Sequence, residues 1–282
     1  MEKSAKWVLA SPLIIFLVLL VLFPAAYGIW MSLQDITVQS KGSQFIGLAN
    51  YAEVLQNGHF WSSLWFTARF TLATTLIELV LGFALALLFN RYFPGKRLLL
   101  SVVLLPIMIA PSLMGVMFRL MLNENIGTVH GLLSLVNIKV NLFDPHNIVP
   151  LLILLDVIQW VPFTFLILYA GLQSVDKNLY EAAAVDGASR WQIVWKIIIP
   201  VMAPIIFIAV FLRGIDAFRT FDVIYVLTNG GPGNVSTTIS IFIYKTAFTE
   251  GNISIASAAS IVIAVMLLFI LPFFIKKLLR TE

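Results

Sequence analysis

The sequence predicts an all-α integral membrane protein with six transmembrane helices. Of its 282 residues, 60% are hydrophobic and 11% are charged, and the mean hydropathy is +0.96. A soluble domain of this size keeps roughly a quarter of its residues charged. The apolar residues also form runs that reach the about 20 residues a helix needs to cross a hydrocarbon core. Because backbone groups in lipid must be paired within the segment, these runs are predicted to be helical.

The predicted spans lie within a single transmembrane domain that covers residues 1–282. They are residues 9–30, 64–90, 98–122, 148–172, 201–227 and 253–275. Lysines precede the first span, as in a signal peptide, but its apolar run is longer than a typical signal segment. We therefore expect it to be a retained helix. The loops between spans are too short to build an independent core.

Positive charges concentrate on one predicted side of the membrane. That side carries Lys3, Lys6, Arg91, Lys96, Arg97, Lys177, Arg190, Lys196, Lys276, Lys277 and Arg280. The opposite side carries only Lys41, Lys139 and Lys245. Since cytoplasmic loops are enriched in lysine and arginine, this asymmetry predicts that both termini are cytoplasmic.

Composition also excludes several classes of function. The pI of about 9.3 does not indicate nucleic-acid binding, because that would require a basic patch with stacking aromatics on a soluble module. The sequence contains no cysteine, which excludes disulfides and cysteine-based metal sites.

The cytoplasmic segment between the fourth and fifth spans predicts a short helix over residues about 176–190. Ser174 or Asp176 is suited to cap its start, and a run of alanines favours helix. Gly187 is suited to end it, because glycine adopts the left-handed conformation of a helix C-terminus. A second amphipathic piece is predicted before Pro200, with apolar residues at helical spacing: Trp191, Val194, Trp195 and Ile198.

This segment resembles the EAA signature of ABC importer permeases. The matching residues are Glu181-Ala182-Ala183, then Gly187 after three residues, Ile197 after nine more, and Ile199-Pro200 after one more. One position departs from the usual pattern, because isoleucine stands at Ile199 where leucine is common.

Four further stretches resemble the carbohydrate branch of that family, the maltose permease-like proteins. They are Phe45-Ile46-Gly47-Leu48-Ala49-Asn50-Tyr51, Leu105-Pro106-Ile107-Met108-Ile109-Ala110-Pro111, Leu227-Thr228-Asn229-Gly230-Gly231-Pro232 and Tyr244-Lys245-Thr246-Ala247-Phe248. Together these motifs cover nearly the whole chain. The resemblance implies a type I ABC importer permease fold in a prokaryotic cytoplasmic membrane, and transport of a sugar, polyol or related polyhydroxylated solute.

The resemblance also implies partners. The EAA segment of the family is a coupling helix that docks on a cytoplasmic ATPase dimer, and this role falls on Tyr180, Glu181, Ala182, Ala183, Asp186 and Gly187. A second homologous permease subunit and an extracytoplasmic solute-binding protein complete the expected assembly. The sequence has no GxxxxGK[ST] run, so it has no phosphate-cradling loop of that kind. We expect no cofactor on this chain, with ATP and Mg²⁺ on the ATPase.

Charged residues within or at the edge of the spans form the other candidate site, because such residues need a partner or a water-filled path. They are Arg69, Glu78, Arg119, Asp156, Arg213, Asp216, Arg219 and Asp222. At 1.5 Å per residue, Asp156 lies roughly 12 Å and Asp216 roughly 16 Å from the outer ends of their spans. The two carboxylates are therefore expected at similar depth, beside Gln159 and Trp160.

Alignment with the maltose permease-like proteins places the solute contacts in the same region. They fall on Asp156, Trp160, Phe163, Arg213, Asp216, Ala217 and Thr220. Several residue types differ from that relative, so the same substrate is not implied. The alternative is that Arg213 and Asp216 form a buried ion pair that only holds helices together. We expect Glu78 and Arg69 each to pack against another subunit, and Arg119 to extend towards the membrane surface.

Two other functions compete with this interpretation. An ion-coupled secondary transporter would use the membrane carboxylates but would leave the EAA segment unexplained. A membrane-embedded enzyme would need a catalytic or metal-binding constellation, and the three histidines are scattered over predicted outer loops: His59, His130 and His146.

Overall fold

A computed structural model describes residues 2–39, 42–123, 127–135 and 141–278; Lys41, Lys139 and Arg280 lie outside the described residues. The α-helices are α1 (Glu2–Ser32), α2 (Ala49–Gln56), α3 (Gly58–Phe89), α4 (Lys96–Leu104), α5 (Pro111–Met121), α6 (Thr128–Leu135), α7 (Ile148–Gln173), α8 (Lys177–Val185), α9 (Arg190–Ile193), α10 (Ile199–Phe218), α11 (Asp222–Thr228), α12 (Ile239–Tyr244) and α13 (Ile253–Leu278). Two-residue strands β1 (Gln34–Asp35) and β2 (Gln44–Phe45) form a small antiparallel hairpin.

The all-α membrane class is confirmed. Among the described residues, four helical stretches are long and apolar enough to cross a membrane: Leu9–Ser32, Gly58–Phe89, Ile148–Gln173 and Arg190–Thr228. A bent pair, Lys96–Met108 with Pro111–Met121, makes a fifth if it is one span. Ile239–Thr249 and Ile253–Phe269 are shorter apolar helices. This set is compatible with six spans, although the six-span count stays a prediction.

The predicted third span, residues 98–122, is not one straight helix. The two helical parts meet at an angle of 96°, and Ile109 and Ala110 between them have extended ψ values of 130° and 137°. Pro106 and Pro111 explain the bend, since proline lacks an N–H donor and disfavours helix in the residue before it.

The predicted fifth span, residues 201–227, also differs. Helical structure begins earlier, at Arg190, and continues through a π-helical turn at Val194–Ile198, directly before Pro200, whose nitrogen cannot donate to the preceding turn. Helix α10 then ends at Phe218, and Asp222 starts the separate helix α11. Arg213 and Asp216 therefore lie on α10, whereas Arg219 follows its end and Asp222 begins α11.

The chain divides into two compact units. The first comprises residues 1–62 and 242–275. In α1, an 18-residue apolar window within Leu9–Ser32 has no residue buried inside the chain, so lipid or another subunit must cover it. After α1, the hairpin and α2 form a cap in which the Ile36 amide donates to the Ser254 hydroxyl at 2.8 Å.

The second unit, residues 63–241 with the C-terminal residues from 276, contains two apolar clusters. One is centred on Phe66, Phe70, Ile148, Leu152 and Ile224. The other is centred on Phe89, Phe165, Leu168, Leu172 and Met202. Because lipid is itself apolar, close packing rather than water exclusion holds such helices together.

Small residues permit this close packing. A Cβ atom on Gly82 of α3 would lie 3.0 Å from the Phe165 backbone nitrogen of α7. One on Gly115 of α5 would lie 3.1 Å from the Val226 side chain of α11. Glycine at these positions lets the helices approach at backbone distance.

The turn after α11 is held by its own side chains. The Thr228 hydroxyl accepts a hydrogen bond from the Gly230 amide at 3.1 Å and bonds the Ser236 hydroxyl at 3.0 Å. Asn229 and Gly230 both have positive φ, 51° and 79°, which is why this turn uses asparagine and glycine. The motif at residues 227–232 therefore shapes the end of α11.

The contact at Gly82 can be tested with Gly82→Leu. We expect it to lower the free energy of unfolding of the detergent-solubilised chain by about 1–3 kcal/mol, the usual cost of overpacking. The matched control is Gly28→Leu in α1, where a Cβ meets nothing within 4 Å. Thermal melting of both variants checks this, and equal melting temperatures would contradict the packing described.

Candidate functional site

Arg213 of α10 is the centre of a buried charge cluster in the second unit. Arg213 is only 1% exposed. Its Nε donates to Glu78 Oε2 at 2.5 Å and its Nη2 to Glu78 Oε1 at 3.0 Å, a bidentate pair with α3. Nη2 also donates to the Asp156 carboxylate of α7. One guanidinium thus links three membrane helices, as its planar fork of donors allows.

The cluster continues from the interior towards the surface of the unit. Arg213 Nη1 donates to Asp216 Oδ2 at 3.4 Å, one turn further along α10. The Asp216 side chain is 30% exposed, and its other oxygen accepts from Arg219 Nη2 at 3.2 Å. The Arg219 side chain is 75% exposed. The inner end of the network is therefore closed, whereas its outer end is accessible.

Aromatic side chains of α7 border the cluster. The Arg213 guanidinium lies 5.2 Å from the centre of the Trp160 ring, in a cation–π arrangement. Trp160 also packs edge-to-face on Phe163 at 6.2 Å. Both aromatic residues are half-buried, so each retains surface that a ligand can cover.

The remaining predicted solute residues divide by exposure. Gln159 is buried and its Nε2 donates to the Ile109 carbonyl at the bend between α4 and α5, at 3.2 Å. Ala217 is 1% exposed. Thr220 is half-buried, and its carbonyl accepts from the Thr238 hydroxyl at 3.1 Å. Trp160, Phe163, Asp216 and Thr220 are thus the accessible members of the predicted set.

The expectation that Glu78 packs against another subunit is wrong, because its fully buried carboxylate pairs with Arg213 of the same chain. Arg69 is exposed, and its guanidinium lies 5.3 Å from the Trp65 ring. Arg119 is exposed and donates to the Val226 carbonyl at 3.2 Å. The sequence did contain an indication of the Glu78–Arg213 pair, because the two residues carry opposite charges and lie deep within predicted spans, where a charge needs a partner.

The second candidate site is the predicted coupling segment, which forms helix α8 (Lys177–Val185). Asp176 Oδ1 accepts from the Asn178 amide at 2.9 Å and satisfies an open donor at the helix start. Gly187 has φ +72°, and the Ala188 amide donates to the Ala183 carbonyl at 2.9 Å. This is the glycine-ended C-terminus of a helix.

Helix α8 has an inner and an outer face. Ala183 is buried, and Tyr180 packs on the second apolar cluster. The Tyr180 hydroxyl is buried without a hydrogen-bond partner among the described residues, and burial raises its pKa. The outer face exposes Leu179, Glu181, Ala182, Val185 and Asp186.

The outer face of α8 carries apolar side chains that this chain does not cover, and Val185 is 87% exposed. A membrane frame holds this short helix at both ends, since Ser189 and Gln192 form a capping box that starts the next helical stretch at once. An apolar and charged face on a rigidly held helix is typical of a docking surface.

The charge cluster predicts a specific pattern of stability. Arg213→Met leaves two buried carboxylates without a cation, and breaking such a pair costs about 3–5 kcal/mol. The triple variant Arg213→Met, Glu78→Gln, Asp156→Asn removes the charges together and should melt above the single variant. Arg219→Met is the matched control, because an exposed pair contributes only about 0–1 kcal/mol. A triple variant that melts below Arg213→Met would contradict the pairing.

Comparison with known proteins identifies the family. The family described as "Binding-protein-dependent transport system inner membrane component" matches residues 78–281. The trehalose/maltose transport system permease protein MalF of Thermococcus litoralis is 34% identical over 270 residues, covering 95% of this chain and 91% of the relative. The trehalose transport system permease protein SugA of Mycobacterium tuberculosis is 34% identical over 276 residues, covering 98% and 89%.

A more distant relative is the sn-glycerol-3-phosphate transport system permease protein UgpA of Agrobacterium fabrum, 29% identical over 281 residues, covering 98% of this chain and 96% of the relative. Among solved structures, a bacterial ABC transporter involved in the import of the acidic polysaccharide alginate has a chain that matches with a TM-score of 0.85 at 25% identity. That match covers 99% of this chain and 97% of the other. The chain therefore belongs to the family of inner-membrane permease components of binding-protein-dependent transport systems.

Proposed function

We propose that this chain is one permease subunit of an ABC importer that carries a sugar, polyol or related polyhydroxylated solute across the cytoplasmic membrane. The relatives named above are permeases for trehalose, maltose and sn-glycerol-3-phosphate, and they align with nearly the whole chain. ATP is hydrolysed by a separate cytoplasmic ATPase dimer, which holds the nucleotide and Mg²⁺, and this chain holds no cofactor.

Helix α8 is the observation that carries the ATP-driven part of the proposal. Its outer face presents exposed Leu179 and Val185 beside Glu181 and Asp186. Its inner face, through Tyr180, packs on the second apolar cluster, whose members include residues of α3, α7 and α10. In this proposal, a push on the outer face is transmitted through that cluster to the membrane helices as rigid-body motion.

The solute part of the proposal rests on the outer end of the charge cluster. Asp216 accepts hydrogen bonds from hydroxyl groups, Arg219 donates them, and the half-buried rings of Trp160 and Phe163 cover the apolar face of a sugar or polyol. Thr220 adds a hydroxyl close by in sequence. The buried residues Asp156, Gln159, Arg213 and Ala217 hold this end in position from within.

The remaining parts of the assembly follow from the same proposal. A second homologous permease subunit, in a heterodimer, covers apolar surface that this chain leaves exposed, such as that of α1. Both termini lie in the cytoplasm, and a solute-binding protein delivers the solute from outside. One solved relative is described in complex with an alginate pentasaccharide-bound periplasmic protein.

Coupling can be tested with Gly187→Val in the complete transporter. The variant places a branched side chain at φ +72°, two residues beyond the end of the docking helix α8, which strains the backbone and blocks close approach of a partner. We expect ATP hydrolysis stimulated by loaded binding protein to fall about tenfold, equivalent to about 1.4 kcal/mol.

The matched control for coupling is Gly95→Val. Gly95 has φ +77° and lies in the turn between α3 and α4, on the same predicted side of the membrane. Gly95→Val introduces the same kind of backbone strain away from the C-terminal end of α8, so stimulation should be retained. An equal loss in both variants would assign the effect to strain alone and contradict docking on α8.

Solute recognition can be tested with Asp216→Asn in the same transporter. Hydrogen bonds to a charged group contribute about 1.5–3 kcal/mol, so the solute concentration for half-maximal uptake should rise about tenfold or more, with assembly intact. Asp222→Asn is the control, because Asp222 is exposed on the separate helix α11. Loss of assembly with Asp216→Asn would show instead that the cluster only holds helices together.

A further inference from the structure

The cap that follows α1 explains the motif at residues 45–51. Asn50 is 4% exposed, and its Nδ2 donates to the carbonyls of Ser32 and Gln34, both at 2.8 Å. The Tyr51 hydroxyl bonds the Ser32 hydroxyl at 2.6 Å. These contacts fix the cap to the end of α1. They leave the amide oxygen of Asn50 without a hydrogen bond from any described residue.

A cavity of about 190 Å³ lies within this first unit, against the cap. Asp35, Asn50, Glu53 and Asn252 supply polar lining, and Ile46 and Ile255 are among the apolar residues that complete it. The Asp35 and Glu53 side chains are exposed, and neither forms an ion pair within the described part of the chain. The cavity therefore presents two carboxylates together with the amide oxygen of Asn50, to which no described residue donates a hydrogen bond.

The chemistry of this lining selects the ligand. Carboxylate oxygens accept hydrogen bonds and offer no donor when ionised, so a group that carries several N–H donors and a positive charge complements them. The volume is below the roughly 300 Å³ at which small-molecule sites begin. One long cationic side chain, with an apolar stem that lies along Ile46 and Ile255, fits both the size and the lining.

The position of the cavity selects the partner. It lies at the C-terminal end of α1 and the N-terminal end of α13, opposite the ends that carry Lys3 and Lys6 or Lys276 and Lys277. Under the positive-inside rule this is the outer side of the membrane. The soluble partner that a binding-protein-dependent system meets on that side is the solute-binding protein.

We propose that this cavity is an anchor for one lysine or arginine side chain of the solute-binding protein, held by the Asp35 and Glu53 carboxylates with the Asn50 amide oxygen. This inference rests on the proposed function and adds the chemistry of one docking contact. Charge pairs at the edge of an interface steer association and make it depend on salt. The anchor thus acts on capture of the binding protein, and the solute site remains separate.

The test uses the complete transporter with its own solute-loaded binding protein. The variant Asp35→Asn with Glu53→Gln removes both charges and keeps both side-chain shapes. We expect the binding-protein concentration for half-maximal stimulation of ATP hydrolysis to rise about tenfold, equivalent to about 1.4 kcal/mol. The maximal rate should stay unchanged, and the half-maximal concentration should depend less on ionic strength than in the parent transporter.

Two controls separate the alternatives. Glu250→Gln removes an exposed carboxylate of the same unit that does not line the cavity, and it should leave the half-maximal concentration unchanged. Lys41→Gln removes a lysine of this chain that is close in sequence to Asp35 and Ile46. The effect of the double variant should persist in the Lys41→Gln background.

Several results would overturn the anchor. They are an unchanged half-maximal concentration, an equal effect of Glu250→Gln, disappearance of the effect in the Lys41→Gln background, or loss of transporter assembly by the double variant. Failure of the proposed function is distinguishable, since loaded binding protein would then not stimulate ATP hydrolysis even in the parent transporter.

Discussion

The helix packing of the second unit depends on one buried guanidinium, that of Arg213, whose positive charge must be paired within the membrane. Arg213 is almost completely buried, and an uncompensated charge there is costly. Its donors engage Glu78 and Asp156, so the rotations and depths of α3, α7 and α10 are fixed relative to one another. Gly82 allows the matching close approach of α3 to α7. Because lipid supplies no hydrophobic drive between helices, polar contacts and close packing together select this arrangement.

The side chains linked to Arg213 form a network with a buried end, which holds helices together, and an accessible end, where we propose that the solute binds. The buried end at Glu78 and Asp156 is saturated by Arg213, whereas Asp216 and Arg219 carry the network to accessible surface. Under the proposed function, a solute at that surface would exchange hydrogen bonds with groups whose inner partners are already fixed, which limits the reorganisation that binding requires. Tyr180 of α8 packs on the second apolar cluster. That cluster includes Phe165, Leu168 and Leu172 of α7, the helix that also carries Asp156 and Trp160.

The sequence predicted the structural features that depend on neighbouring residues or on spacing along a single helix. Asp176 and Gly187 bound α8 because capping chemistry acts over a few residues. The rise per residue predicted similar depths for Asp156 and Asp216, and in the structure Arg213 pairs with both. The Glu78–Arg213 pair was missed because it depends on the rotation of two helices 135 positions apart in sequence. The break after Phe218 has no proline or glycine to announce it. There the Thr220 carbonyl accepts from Thr238 instead, a contact that only tertiary structure reveals.

In the proposed function, the accessible end of the Arg213 network contacts the solute, and the buried residues behind it do not. Because this chain contains no cysteine, labelling of this chain in single-cysteine variants of the assembled transporter reports the accessibility of the introduced residue alone. Thr220→Cys should react with a membrane-impermeant thiol reagent and be protected by the transported solute, whereas Ala217→Cys, at a position that is 1% exposed, should not react. Reaction of Thr220→Cys that is indifferent to solute, or equal reaction at both positions, would contradict the account.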